Sequence, residues 1–188
     1  MISDNRKQIA IGATLALLTV ATHGHHYASA LNLPPATWAV FFLAGFYFRS
    51  ARMFAALLVE VVILDYLATN IGGVSHYCIS PAYGFLLPAY GSLWLAGRAM
   101  ASRVSFSLTA LPVLGASMAV SVTLAEMFTS GGFYFFSGRF ADTSLPEFGS
   151  RLLQYFPQSL ASFSFWMVIA LVVHVAFGLS QTNRHLNA

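Results

Sequence analysis

The chain has 188 residues, of which 57% are apolar and only 8% are charged. Soluble domains carry about 25% charged residues, so this composition excludes an ordinary water-soluble domain. It predicts a single membrane-embedded domain over residues 1–188. The net charge of +3 rests on few basic residues and gives no indication of nucleic-acid binding. The single cysteine excludes a disulfide within the chain and argues against a cysteine-rich zinc module.

Apolar runs separated by charged or turn-forming residues predict an all-α integral membrane protein with six transmembrane helices. About 20 residues are needed to cross a bilayer as a helix. In chain order, we expect helices over 8–26, 35–48, from the turn at 49–52 to 69, 81–100, 106–128, and from 158 to 180. The second helix is short for a full span, which indicates tilting or shelter by its neighbours.

The basic residues predict the orientation of these helices. Cytoplasmic connections of membrane proteins are enriched in Lys and Arg. In the six-helix arrangement, seven basic residues fall on one side, namely Arg6, Lys7, Arg49, Arg52, Arg98, Arg103 and Arg184, against Arg139 and Arg151 on the other. We therefore expect a multi-pass protein of the inner (cytoplasmic) membrane with both termini in the cytoplasm. Segments 23–35, 70–81 and 129–156 would then lie outside.

The N-terminal residues allow a second interpretation. A basic pair, an apolar run and the small residues Ala28-Ser29-Ala30 are also typical of a cleavable signal peptide. We favour a retained first helix.

Polar side chains that can bind a metal are concentrated at the outer end of the predicted bundle. They are His23, His25 and His26 closing helix 1, Asp65 near the end of helix 3, His76, Tyr77 and Cys78 before helix 4, and Glu126 near the end of helix 5. One soft sulfur ligand among imidazoles suggests a metal or a metal-containing solute. The alternative is that these histidines simply favour the membrane interface.

Cys78 precedes a predicted helix start, with Ser80 as the N-cap and Pro81 at the first helical position. The partial positive charge of a helix N-terminus favours a thiolate, which is the form of cysteine that binds metals. A protonated His76 would act in the same direction. The alternative is a buried structural cysteine.

Two carboxylates, Glu60 and Asp65, lie inside helix 3. Ionisable groups within a membrane span usually face the interior and serve a function. At five positions apart they point about 140° away from each other, so they do not share a site. We expect Asp65 to belong to the outer site and Glu60 to pair with Arg52 or another helix. His174 in helix 6 is expected to make a packing or partner contact.

Energy for uphill transport would have to come from a source other than ATP hydrolysis by this chain. The chain has no phosphate-binding Gly-rich loop, and its only lysine is Lys7. Small residues Gly12 and Ala16 in helix 1 allow close approach of another helix. That approach serves either internal packing or docking of a partner subunit.

The arrangement of six spans resembles the substrate-binding S component of energy-coupling factor transporters. Within that group the chain resembles the BtuM family of cobalamin transporters. The similarity rests on the segment His76-Tyr77-Cys78-Ile79-Ser80-Pro81-Ala82, with His26, Asp65 and Tyr83 around it. The resemblance implies an S-component-like bundle that captures cobalamin or a related corrinoid, with Cys78 as the cobalt ligand. It implies that His26, Asp65, His76, Tyr77 and Tyr83 bind the substrate.

The family's partners would be a transmembrane coupling protein and two ATPases, docked through Gly12 and Ala16, or none if the protein works alone. Cobalt offers an open axial position once the vitamin's own base leaves, and a thiolate or an imidazole can fill it. A strongly donating thiolate would weaken the opposite ligand, so loss of cyanide from cyanocobalamin is expected as a chemical side activity. The alternatives are a haem- or copper-binding membrane redox protein and a nickel or cobalt ion permease.

Overall fold

The computed structural model describes residues 5–23, 33–48, 50–73, 75, 80–102 and 111–186, with only the backbone at 111 and 177–186. Within these ranges the chain is helical and contains no strand. The elements are α1 (Asn5–Thr22), α2 (Thr37–Tyr47), α3 (Ala51–Asn70), a 3-10 turn (Pro81–Phe85) that leads into α4 (Leu86–Ala101), α5 (Leu111–Glu126), a π-turn (Met127–Gly131), α6 (Gly132–Phe136) and α7 (Leu145–Leu186).

These elements form six continuous helical stretches in the described part of the chain, because α5, the π-turn and α6 follow one another without a break. The all-α prediction is therefore confirmed. Two helices, Pro112–Phe136 and Leu145–Ala176, are long and apolar enough to cross a membrane by length and composition. α2 has 11 residues and is about 16 Å long, which is well short of a full span.

The short helix α2 is the centre of the bundle. Almost every residue on all its faces is buried, namely Thr37, Ala39, Val40, Phe41, Phe42, Leu43, Ala44 and Gly45. Phe41 stacks on Tyr90 of α4 with ring centroids 4.3 Å apart, and Phe42 meets Phe163 of α7 edge to face at 5.7 Å. A helix that is apolar all round belongs in the interior, and here α1, α3, α4 and α7 contact it.

Two glycines bring the backbones of α2 and α4 into direct contact. A Cβ atom added to Gly45 would collide with the carbonyl of Trp94, and one added to Gly97 would collide with the carbonyl of Phe42. Small residues permit this approach because no side chain separates the two helices. By contrast, a Cβ atom added to Gly12 of α1 would lie 3.5 Å from the side chains of Met53 and Phe48, which is an ordinary contact distance. Gly12 is buried within the chain.

Polar bonds fix the start of α2. The backbone N–H of Ala36 donates to Thr22 Oγ1 at 3.1 Å, and Trp166 Nε1 donates to the carbonyl of Pro34 at 2.8 Å. The end of α1 and the middle of α7 are thus both tied to the residues that lead into α2. This end of the bundle carries the polar network described below.

The predicted boundaries need correction at both ends of the 129–156 segment. That segment is not a loop: α6 continues the helix to Phe136, and α7 begins at Leu145 with Pro157 inside it. Ser144 explains the early start, since its Oγ accepts from the Glu147 N–H at 3.3 Å as an N-cap does. α1 also ends at Thr22, earlier than the predicted His26.

Candidate functional site

A continuous hydrogen-bonded network joins four helical stretches at one end of the bundle. Asp65 of α3 lies at its centre: Oδ1 is 2.8 Å from His23 Nε2, and Oδ2 accepts from the Tyr83 hydroxyl at 2.6 Å. On its other side, His23 Nδ1 lies 3.0 Å from Thr37 Oγ1. The ends of α1 and α3 and the starts of α2 and the 3-10 turn therefore meet at this carboxylate.

The network leaves hydrogen-bonding capacity for a ligand. Each carboxylate oxygen has two acceptor sites, and each Asp65 oxygen uses one of them on a protein donor. The Asp65 side chain is 31% exposed to solvent, whereas the His23 side chain is 15% exposed. His23 and Tyr83 hold the carboxylate in a fixed orientation. Among the described residues no other side chain donates to it, and its remaining lone pairs can accept amide or hydroxyl donors from a ligand.

Of the residues predicted to form the site, the structure describes two and brings them into direct contact. Asp65 and Tyr83 share the 2.6 Å hydrogen bond. The other four, His26, His76, Tyr77 and Cys78, lie outside the described residues. His23 was recognised as part of the histidine cluster, but its direct bond to Asp65 was not predicted.

The start of the fourth helix differs from prediction in one detail. Pro81 occupies the first helical position, as expected, but the first turn is 3-10. The Ser80 side chain does not cap it: its Oγ is buried and has no hydrogen-bond partner in the described structure. Instead, the carbonyl of Ser80 accepts from the Tyr83 N–H at 2.9 Å. The turn thereby directs the Tyr83 hydroxyl towards Asp65.

The carboxylate Glu60 interacts electrostatically with His23 but forms no hydrogen bond to this network among the described residues. Between the described residues, no ion pair joins it to Arg52, so that expected pairing is not observed. Asn70, on the last turn of α3, donates to the carbonyl of Tyr66 at 2.9 Å.

The two described histidines that could ligate a metal lie at opposite ends of α2. His23 is bonded near Thr37, and His174 Nδ1 is 2.9 Å from the Tyr47 hydroxyl. Ten residues of helix separate the backbones of these partners by about 15 Å, which places the two histidines near opposite ends of α2. No group of three or more His, Cys, Asp or Glu side chains suited to a metal ion occurs across the described ranges.

A small hollow of about 80 Å³ adjoins the network. It is lined by Ala82, Tyr83, Leu86, Thr129 and Phe133. Phe136 stacks on Phe85 beside it, with centroids 5.1 Å apart. The aromatic segment 132–136 thus packs against the 3-10 turn that carries Tyr83. No protein-family model matches the chain, and no curated protein matches it either.

Proposed function

We propose that this protein is a multi-pass transport protein of the inner membrane that captures cobalamin or a related corrinoid at its outer face. In this proposal six helices form an S-component-like bundle with both termini in the cytoplasm, and Cys78 binds the cobalt as a thiolate. The long apolar helices Pro112–Phe136 and Leu145–Ala176 and the low charge of the chain support placement in a bilayer.

The observation that carries the proposal is the hydrogen-bonded network at Asp65. It fixes a partly exposed carboxylate and the Tyr83 hydroxyl at the end of the bundle where the chain reaches Ser80. Cys78 is two residues before Ser80, and two residues of chain span at most about 7 Å. We propose that one ligand reaches both the Cys78 thiolate and the Asp65 carboxylate, as a cobalt ion surrounded by amide groups requires.

The position of the ligand follows from the size of the hollow. A volume of about 80 Å³ accepts a few atoms but not a corrin ring. We therefore place the ring above the hollow, at the outer surface, with its amides near Asp65. His26, His76 and Tyr77 are proposed as further contacts. A coupling protein with two ATPases stays a proposed partner, docked through α1, where Gly12 is buried and Ala16 is partly buried against the core.

Optical titration tests the proposed ligand class. Purified protein mixed with cyanocobalamin is expected to change the visible spectrum of the corrin, because replacement of an axial ligand alters the cobalt electronic transitions. The same preparation should show neither haem nor copper absorption before addition. An unchanged corrin spectrum, together with no retention of the vitamin on gel filtration, would refute the proposal.

Replacing Asp65 with Asn is expected to weaken cyanocobalamin binding by about 10-fold or more. The substitution removes the charge, and a hydrogen bond to a charged group contributes about 1.5–3 kcal/mol. The measurement is the dissociation constant from the optical titration. The control is Asp142→Asn, since that residue is exposed in the connection between α6 and α7. Equal affinity of the folded Asp65 variant and the parent would assign Asp65 a structural role only.

A further inference from the structure

The backbones of α3 and α4 stay apart along most of their length, whereas α4 packs closely on α2. Side chains join α3 to the fourth helical stretch at two levels. The Tyr83 hydroxyl donates to Asp65 at one level, and the Trp94 ring lies 5.6 Å from the Phe54 ring at the other. Eleven residues of helix, about 16 Å, separate Tyr83 from Trp94. Between these two contacts, the described structure has a groove whose sides are α3 and α4.

The groove is apolar at its base and along α4. Phe41 of α2 lies between the two helices: it stacks on Tyr90 of α4 and meets Phe54 of α3 edge to face at 5.5 Å. On the α4 side, Leu87 is exposed, and a Cβ atom added to Gly91 would meet nothing within 4 Å. A hydrocarbon chain therefore has both an apolar surface and open space beside α4.

One stripe of α4 connects this apolar surface to a positive charge. Its members recur every three or four residues and so share one face of the helix, namely Leu87, Gly91, Trp94 and Arg98. The guanidinium of Arg98 lies over the Trp94 ring, 5.1 Å from its centroid. From Leu87 to Arg98 the helix rises about 16 Å, which is about half of the 30 Å hydrocarbon thickness of a bilayer. The stripe thus has the length of one lipid leaflet.

Other basic residues lie at the same end of the bundle as Arg98. The ends of α1 and α3 meet the start of the fourth helical stretch at the Asp65 network, so their opposite ends share the other end of the bundle. Lys7 of α1 and Arg52 of α3 are exposed there. Among the described carboxylates of α1, α3 and α4, the one closest to this end is Glu60, nine residues or about 13 Å from the start of α3. An anionic group is therefore attracted to this end.

We propose that the groove between α3 and α4 binds one anionic phospholipid, with its phosphate at Arg98 and an acyl chain alongside Leu87 and Gly91. The proposal rests on the bilayer placement proposed above and not on corrinoid binding. A guanidinium forms two parallel hydrogen bonds to a phosphate group, and the Trp94 ring keeps it in place. The bound lipid ties α3 to α4 where their backbones are separated.

Tryptophan fluorescence of the purified full chain in detergent tests the site without any corrinoid. The probes are phosphatidylglycerol and phosphatidylcholine with brominated acyl chains, because bromine quenches a tryptophan that it touches. Half-maximal quenching is expected at an about 5-fold lower content of phosphatidylglycerol than of phosphatidylcholine, the factor that corresponds to about 1 kcal/mol per basic residue near anionic lipids. The chain has three tryptophans, and Trp94→Phe should lose this high-affinity component.

Arg98→Gln is the variant that removes the charge. It should quench equally with both lipids, whereas Arg151→Gln, which alters an arginine paired with Glu147 near the start of α7, should keep the parent's preference. Excess inorganic phosphate should not displace the brominated lipid, since it lacks an acyl chain. Equal quenching of the parent by both lipids, an unchanged preference in Arg98→Gln, or displacement by phosphate alone would overturn the proposal.

Gly91→Phe tests the position of the acyl chain separately from the charge. The space beside Gly91 is open, so the new ring would fill the groove without entering the core, and quenching by phosphatidylglycerol should weaken. Quenching equal to that of the parent would contradict the acyl position. If the parent binds no cyanocobalamin but prefers phosphatidylglycerol through Arg98, the transport proposal fails while the lipid site stands.

Discussion

Replacing Cys78 with alanine is expected to abolish the thiolate-type change in the spectrum of cyanocobalamin and to stop cyanide release. The sulfur is the only soft anionic ligand in the chain, and cobalt bound to it loses affinity for the ligand on the opposite face. The cobalt–sulfur bond forms as the cobalt–carbon bond breaks, and cyanide leaves with its electron pair. The measurements are the visible spectrum and free cyanide after mixing protein and vitamin.

Cys78→Ser is the matched variant for this experiment. It keeps the size and polarity of the side chain but replaces the thiolate with a hydroxyl that stays protonated. Both variants should retain some vitamin through burial of the corrin and the contacts near Asp65. Cyanide release by either variant at the parent's rate would contradict direct ligation by sulfur.

Replacing Gly97 with alanine is expected to lower the free energy of unfolding by about 1–3 kcal/mol, the usual cost of overpacking a core. The new Cβ would collide with the backbone carbonyl of Phe42. A carbonyl within a helix cannot rotate away, so α2 and α4 must separate. The loss outweighs the better helix propensity of alanine, which is about 1 kcal/mol. Thermal unfolding in detergent measures the change.

Gly91 offers a control within the same helix. A Cβ there meets nothing within 4 Å, so Gly91→Ala should leave stability unchanged or raise it by up to about 1 kcal/mol. Equal stability of the two variants would mean that α2 and α4 do not approach as closely as the structure indicates.

The helical boundaries show where sequence patterns were sufficient. Pro81 identified the start of the fourth helix, and the apolar run predicted to end near Thr69 gave the extent of α3 to within one residue, because both depend on local chemistry. The start of α7 was predicted 13 residues too late, after Pro157 instead of at Leu145. Ser144 and Glu147 form a capping pattern that marks this start, and Pro157 lies inside the helix. Proline inside a helix is tolerated when surrounding contacts compensate for the lost bond.

In the candidate site, too, the sequence indicated single residues but not the contacts between distant ones. The sequence indicated Asp65 because ionisable groups within a membrane span usually serve a function, and it indicated Tyr83 through the family resemblance. It did not reveal the bond to His23, which depends on how α1 and α3 are placed side by side.

The sequence by itself determined that this chain is helical, rich in apolar surface and polar mainly at helix ends, because composition and periodicity are local properties. Only the tertiary structure decided which residues meet. Gly45 and Gly97 look like ordinary helix glycines until α2 and α4 are brought together. Glu126 and Ser159 are 33 residues apart, and their hydrogen bond exists only because α5 packs against α7. Contacts between distant residues depend on the relative position of whole helices, which no short stretch of sequence specifies.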